Sequence, residues 1–186
     1  AHHSVFFGRD YAGEFEDIWR RRRLPSQPTV YVCAQDRGEH VVPPATAARE
    51  RLFCIINAPA DGDCWQLTDE DVARCRDAAF TRLRDCGLDV TVDPTRLVTT
   101  TPVDFERLFP ASGGGLYGAA THGWRASFTR PGVRSRIPGL YLAGGSVHPG
   151  AGLPMVALSG QLAAASALGD LDRLARSRMS LSHARP

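Results

Sequence analysis

The residues best placed to do chemistry lie between positions 144 and 156. Gly144, Gly145, Gly150 and Gly152 strip side chains from a turn, so a ligand can approach the backbone closely. Ser146 adds a hydroxyl that both donates and accepts. Leu153 precedes Pro154, which suits a first helical position because its missing N–H costs nothing there. A helix is therefore expected from about Met155, with the backbone N–H groups of Met155 and Val156 at its positive end. Such a start suits an anion or an electron-rich carbonyl oxygen. A turn that uses its glycines only for tight packing is the plainer alternative.

Two other chemistries fit less well. Gly144-Gly145-Ser146-Val147-His148 nearly spells the G-x-S-x-G elbow of serine hydrolases. That elbow needs its helix directly after the serine, whereas Pro149 and Pro154 delay it, and no Asp-then-His order follows. Gly113, Gly115 and Gly118 spell G-x-G-x-x-G, but no strand precedes them and Ala119 to Trp124 is no amphipathic helix. These glycines read instead as points of close backbone approach. His148 is the one titratable group within the turn, and histidines in such turns more often cap or pack.

The elements around the turn follow from periodicity. Leu140 to Ala143 is apolar, and Tyr141 to Ala143 reads as a buried parallel strand leading into it. After the turn, Met155, Leu158, Leu162, Ala165 and Leu168 form a core-facing helical stripe. A second face is small: Val156, Gly160, Ala163, Ala164 and Ala167. Upstream, strands are expected at Val5 to Gly8, Thr29 to Gln35, Leu52 to Asn57 and Arg96 to Thr101. The third is nearly all apolar and suits a central position. Asp10 begins a helix with Tyr11, Phe15, Ile18 and Trp19 on one side. Thr68 caps another, with Val72, Cys75, Ala79, Leu83 and Cys86 as its buried stripe and Gly87 at its end. Thr101 caps a short helix starting at Pro102, in which Asp104 and Glu106 are expected to be solvated. Residues 109–138 show little periodicity but hold Tyr117, His122, Trp124 and Phe128 among glycines, a composition common in loops that line sites. The arginine-rich segment after Asp170 reads as a frayed helix followed by disorder.

Of the 186 residues, 43% are hydrophobic and 23% charged, and the net charge is +2, which describes a soluble globular chain with no pull on nucleic acid. No apolar run approaches the ~18 residues needed to span a bilayer, and no signal peptide is read at the start. The five cysteines make an odd number without C-x-x-C pairs, so neither a disulfide nor a zinc framework is expected. The six histidines show no helix-borne metal spacing, and no metal is expected. Arg20 to Arg23 suit a solvated helix end. Beside exposed aromatics they could also touch anionic lipid headgroups.

The segment LYLAGGSVHPGAGLPMVALSG resembles the C-terminal flavin motif of carotenoid desaturases of the phytoene type, relatives of the flavin amine oxidases. The resemblance extends through Thr101 to Phe105, Gly113 to Gly118 and Phe128 to Gly132. His2 to Gly8 and Thr29 to Arg37 are similar to the branch acting on hydroxy- or methoxyneurosporene. It implies an α/β chain of α+β character, the C-terminal fragment of a two-domain FAD-dependent desaturase. Its mixed sheet and helices would be joined by the last strand and helix of the flavin-binding domain. Residues 1–135 would then belong to the substrate domain, 136–170 to the flavin-binding strand-turn-helix, and 171–186 to a polar tail. The family's N-terminal dinucleotide-binding unit would be missing, leaving the chain inactive alone.

The resemblance further implies FAD as cofactor and hydride transfer from a polyene to the flavin. Gly144, Gly145 and Ser146 would lie beside the FAD phosphates or ribityl chain. Gly150, Gly152, Leu153 and Pro154 would shape the turn, and Met155 and Val156 would face the flavin pyrimidine oxygen. Tyr117, His122 and Trp124 would line the polyene. The implied partners are a carotenoid, the N-terminal half of the same protein and a membrane surface. The implied place is the cytoplasm, peripheral to the inner or photosynthetic membrane. A non-catalytic lipid- or partner-binding module is the competing class.

Overall fold

Alternation at residues 30–34 builds the centre of the first unit. Val30, Val32 and Ala34 are buried while Tyr31 and Cys33 turn to the other face, the period-two pattern of a strand with one covered side. The computed structural model describes residues 1–37, 49–118 and 130–183. It divides into two compact units, Ala1–Gly114 and Gly115–Pro186.

In the first unit, β1 (His3–Phe6), β2 (Val30–Ala34) and β3 (Leu52–Ile56) form a three-stranded sheet in the order β1-β2-β3. Both pairings are antiparallel, so the expected mixed sheet is corrected to an antiparallel one among the described residues. β3 lies at an edge, not the centre. Its apolar run does not mean burial on both faces, since Phe53 and Ile55 are exposed. The expected fourth strand is absent: Pro94–Arg96 is a single 3-10 turn capped by Asp93, and the following residues pair with no described strand.

Helix α2 (Asp69–Asp85) covers one face of the sheet. Its Thr68 capping box with Asp71 satisfies the first-turn donors, as the sequence pattern requires. Ala79 and Leu83 meet Val30 and Val32, with Phe6, Leu52 and Ile56 packed around them. Cys75 is buried on the same stripe, and burial pushes its thiol up to about 11, which keeps it protonated and inert. Cys86, expected on that stripe, is exposed because it is already the C-cap.

Helix α1 (Tyr11–Trp19) splits its expected apolar side, keeping only Ile18 of it inside. Tyr11, Phe15 and Trp19 are exposed, while Glu14, Asp17 and Ile18 are buried. Hydrogen bonding makes the carboxylates good interior groups. Glu14 accepts from Thr29 N–H at 3.1 Å, Thr29 Oγ1 at 2.6 Å and Asn57 Nδ2 at 3.1 Å, tying α1 to the start of β2 and the end of β3. Asp17 accepts from Arg21 at 2.8 Å, Arg23 Nε at 2.9 Å, and both the N–H and hydroxyl of Ser26.

Arg20 to Arg23 are therefore not a bare basic patch. Arg20 pairs with Glu16, Arg21 with Glu16 and Asp17, Arg22 with Asp61, and Arg23 with Asp17. Three carboxylates neutralise most of the four charges locally.

Helix α3 (Pro102–Leu108) begins on the expected Thr101 cap with Pro102 in its first turn. Glu106 is not simply solvated. Its carboxylate accepts from the N–H groups of Ala111 at 2.7 Å, Ser112 at 2.9 Å and Gly113 at 2.7 Å. The first amide of the G-x-G-x-x-G string, Gly113, and the two amides before it thus bind the chain's own anion rather than an external one. Those bonds, led by Ala111, hold the Glu106 carboxyl below its ordinary range. Glu106→Gln is expected to speed hydrogen exchange at the Ala111, Ser112 and Gly113 amides. Unchanged protection would show that the loop is held by something else.

In the second unit, helix α4 (Leu153–His183) runs on through the arginine-rich segment after Asp170, where a frayed helix is expected. Beyond Gly169 no glycine or proline interrupts it before Pro186, and leucine, alanine, arginine and methionine propagate helix well.

Candidate functional site

The strand expected at Tyr141 to Ala143 is instead one arm of a short antiparallel pairing, with Arg134 bridged to Tyr141. Leu142 N–H donates to Val133 O at 2.8 Å and Ser135 N–H to Leu140 O at 3.2 Å. No parallel partner strand lies beside it among the described residues. The arm is clamped to α4 by Asp170. Asp170 receives Arg134 at 2.6 Å, the hydroxyl of Tyr141, and Arg173. The Arg134 guanidinium, ahead of Tyr141, holds the Asp170 carboxyl far below the usual range.

The side of α4 that meets this arm carries Ser159, Ala163, Ser166 and Asp170, and of the expected small face only Ala163 is buried. Ser159 and Ala163 are buried, whereas Met155, Leu158, Leu162 and Leu168 are exposed. The reason is distance. Gly144 N–H donates to Ser159 Oγ at 3.1 Å and Arg134 to the Ser166 carbonyl at 3.3 Å, approaches that a row of leucines would block.

The glycine turn is pinned at both sides and open in the middle. Arg130 donates to the Gly145 carbonyl at 2.9 Å and the Tyr117 carbonyl at 3.1 Å. His148 N–H donates to Pro131 O at 2.8 Å, and Val147 is buried beneath. Gly144 (φ +125°) and Gly152 (φ +110°) adopt backbone conformations that side chains rarely reach, and a Cβ at either would meet no atom within 4 Å. Both positions therefore border open space. Gly118 lies so close to Ser146 that a Cβ there would come within 2.9 Å of it, so at least this upstream glycine serves a contact within its own unit.

Helix α4 begins at Leu153, two residues before the expected Met155. Val156 N–H donates to Gly152 O at 2.9 Å and is committed to the helix. The N–H groups of Leu153 and Met155 have no partner among the described residues. Open glycine backbone beside free amides at a helix start suits an anion or an electron-rich carbonyl oxygen. Ser146 and His148 are both exposed, and no hydrogen bond joins them among the described residues, so these two do not form a nucleophile–base pair. Tyr117 is 64% exposed. His122 and Trp124 lie outside the described residues.

No family model matches the chain. Among curated proteins it is 53% identical over 176 residues to a hydroxyneurosporene desaturase of Rubrivivax gelatinosus, covering 95% of this chain and 33% of the relative. It is 44% identical over 170 residues to the hydroxyneurosporene desaturase of Cereibacter sphaeroides, covering 91% of this chain and 33% of that protein. A 4,4'-diapolycopene oxygenase of Methylomonas is 30% identical over 176 residues, covering 92% of this chain and 34% of that protein. The chain thus spans about a third of the length of the curated relatives it matches.

Proposed function

We propose that this chain, a homologue of the hydroxyneurosporene desaturases over nearly its whole length, is the C-terminal, flavin-facing part of an FAD-dependent oxidoreductase that desaturates a carotenoid. The observation that carries the reading is the 53% identity over 176 residues, a span too long to omit the glycine turn. In this reading residues 136–170 are the strand-turn-helix that would hold part of an FAD, and residues 1–135 contribute to the substrate side. Gly144, Gly145 and Ser146 would border its phosphate or ribityl portion. The free N–H of Met155 would meet the pyrimidine oxygen, with Gly150, Gly152, Leu153, Pro154 and Val156 shaping the approach. The bound flavin would supply the chemistry, accepting a hydride from the polyene. The chain's own contribution is fixed N–H donors, which favour negative charge without reorganising.

A polyene needs long apolar walls. The first unit keeps one sheet face open, with Val5, Phe53 and Ile55 each at least 42% exposed. Tyr117, His122 and Trp124 remain proposed lining residues. A substrate dissolved in lipid favours work at the cytoplasmic surface of a membrane, and no helix among the described residues is long and apolar enough to cross one. With Arg20 to Arg23 paired, exposed Phe7, Tyr11 and Phe15 are the better peripheral contact, since apolar burial needs no net charge.

The test is expression of the whole protein, and of this chain alone, in cells that accumulate hydroxyneurosporene. The whole protein should lengthen the chromophore and shift carotenoid absorption to the red, while this chain alone leaves it unchanged. A folded, flavin-loaded whole protein that leaves the pigment unaltered rejects the reading.

A further inference from the structure

One cluster lies outside the flavin turn, at the first corner of the sheet. His2, His3 and Cys33 bring one ligand atom each to within 4.8 Å of one another. His2 precedes β1 but continues its pairing, its carbonyl accepting from Ala34 N–H at 2.9 Å. His3 is the register partner of Cys33. Two adjacent histidines and a cysteine thirty residues away are thus joined by antiparallel register, a pattern no local motif announces.

The imidazoles are oriented as metal ligands are. His2 Nδ1 lies 3.0 Å from the Ala34 carbonyl. A carbonyl only accepts, so Nδ1 carries the proton and Nε2 keeps its lone pair. That Nε2 points at Cys33 Sγ from 3.9 Å. His3 Nδ1 lies 2.6 Å from the Tyr31 hydroxyl, and its ring stacks near the Tyr31 ring. When that hydroxyl accepts, His3 takes the same tautomer and its Nε2 keeps a lone pair for a metal. Backbone carbonyls and hydroxyls behind imidazoles are the usual outer partners that orient metal ligands. Tetrahedral zinc, with Zn–S and Zn–N bonds of ~2.3 and ~2.0 Å, sets N and S about 3.5 Å apart. The His2–Cys33 pair, at 3.9 Å, needs only a small contraction, and the set as a whole, within 4.8 Å, must close further on a metal.

We propose that His2, His3 and Cys33 form a three-ligand site for a zinc-class metal ion. Its fourth position is open to water or an exogenous ligand, because His3 is exposed. The Cys33 thiol releases its proton to solvent as the sulfur–metal bond forms, and no electron moves. The site uses no residue of the glycine turn, but His3 and Cys33 share the open sheet face of Val5, Phe53 and Ile55, so a bound metal would border the proposed substrate wall.

The experiment is cobalt(II) titration of the reduced full chain, followed by optical spectroscopy and competition with zinc. Cys54, Cys64 and Cys86 are replaced by Ser in all samples to remove the other exposed thiols. One equivalent of cobalt should give a sulfur-to-cobalt charge-transfer band with visible bands of tetrahedral intensity, and zinc should displace it. Cys33→Ser should abolish the charge-transfer band. His2→Gln and His3→Gln should each weaken binding by more than about 100-fold, beyond the range for an outer partner, while Tyr31→Phe should weaken it about tenfold. Far-UV circular dichroism identifies any variant that fails to fold, and Tyr31→Phe then carries the test. No charge-transfer band in the parent at millimolar cobalt overturns the proposal. So does equal binding by parent and folded Cys33→Ser, which would place the metal on other histidines.

Discussion

Replacing Asp17 by Ala should lower the unfolding free energy by about 2–3 kcal/mol, the scale of removing a buried carboxylate that accepts several charged or backbone donors. Asp17 is almost wholly buried and accepts from Arg21, Arg23 and both donors of Ser26. Without it, the turn from α1 to β2 loses the acceptor shared by Arg21, Arg23 and Ser26, although the half-exposed arginines can rehydrate and soften the loss. Burial acts to raise this carboxyl, but the bonds from Arg21, Ser26 and Arg23 outweigh it and bring it from 3.8 to about 2. Between those values the unfolded chain binds more protons than the folded one, so stability rises with pH there. The contribution is complete above about pH 4 and is lost as pH falls through about 2. Urea denaturation of parent and variant across that range should show the difference shrinking toward acid. A variant within about 0.5 kcal/mol of the parent at neutral pH would show the network contributes little.

Gly152→Val should reduce the flavin content of the whole protein by about tenfold, the scale set by backbone strain of ~1–3 kcal/mol plus a side chain in the ligand's space. Gly152 sits at φ +110° with no atom within 4 Å of a built Cβ. The new Cβ therefore meets nothing of the chain itself and starts a side chain into the space where the cofactor is proposed to lie. Gly87→Ala is the control, since Gly87 also has positive φ, +87°, and open space, but ends α2 in the first unit. It should lower stability and leave flavin content unchanged. Flavin-to-protein absorbance ratios on purified protein give the answer. Normal flavin occupancy in folded Gly152→Val protein would count against the assignment of this turn.

Much of this protein was legible from the sequence because several of its structural rules are local. Thr68 and Thr101 cap helices because their hydroxyls reach N–H groups three residues on, whatever lies elsewhere. The inward set Val30, Val32 and Ala34 follows from the two-residue period of a strand, and Ala79 and Leu83 from the turn of a helix. The glycine turn announced itself by composition, and its family by a run of residues long enough to be specific. The tertiary structure decided which side of an element is the inside when both sides are plausible. Helix α1 buries Glu14 and Asp17 rather than its aromatics because their acceptors meet donors as far as Asn57, 43 residues away. Helix α4 turns Ser159, Ala163 and Ser166 inward because Gly144 and Arg134 must come within hydrogen-bond distance of it. Glu106 fills the amides of a glycine loop, and His3 faces Cys33 only through strand register. Periodicity and capping act across a few residues and are written in the chain. Partner choice for buried polar groups depends on contacts that exist only after distant segments meet.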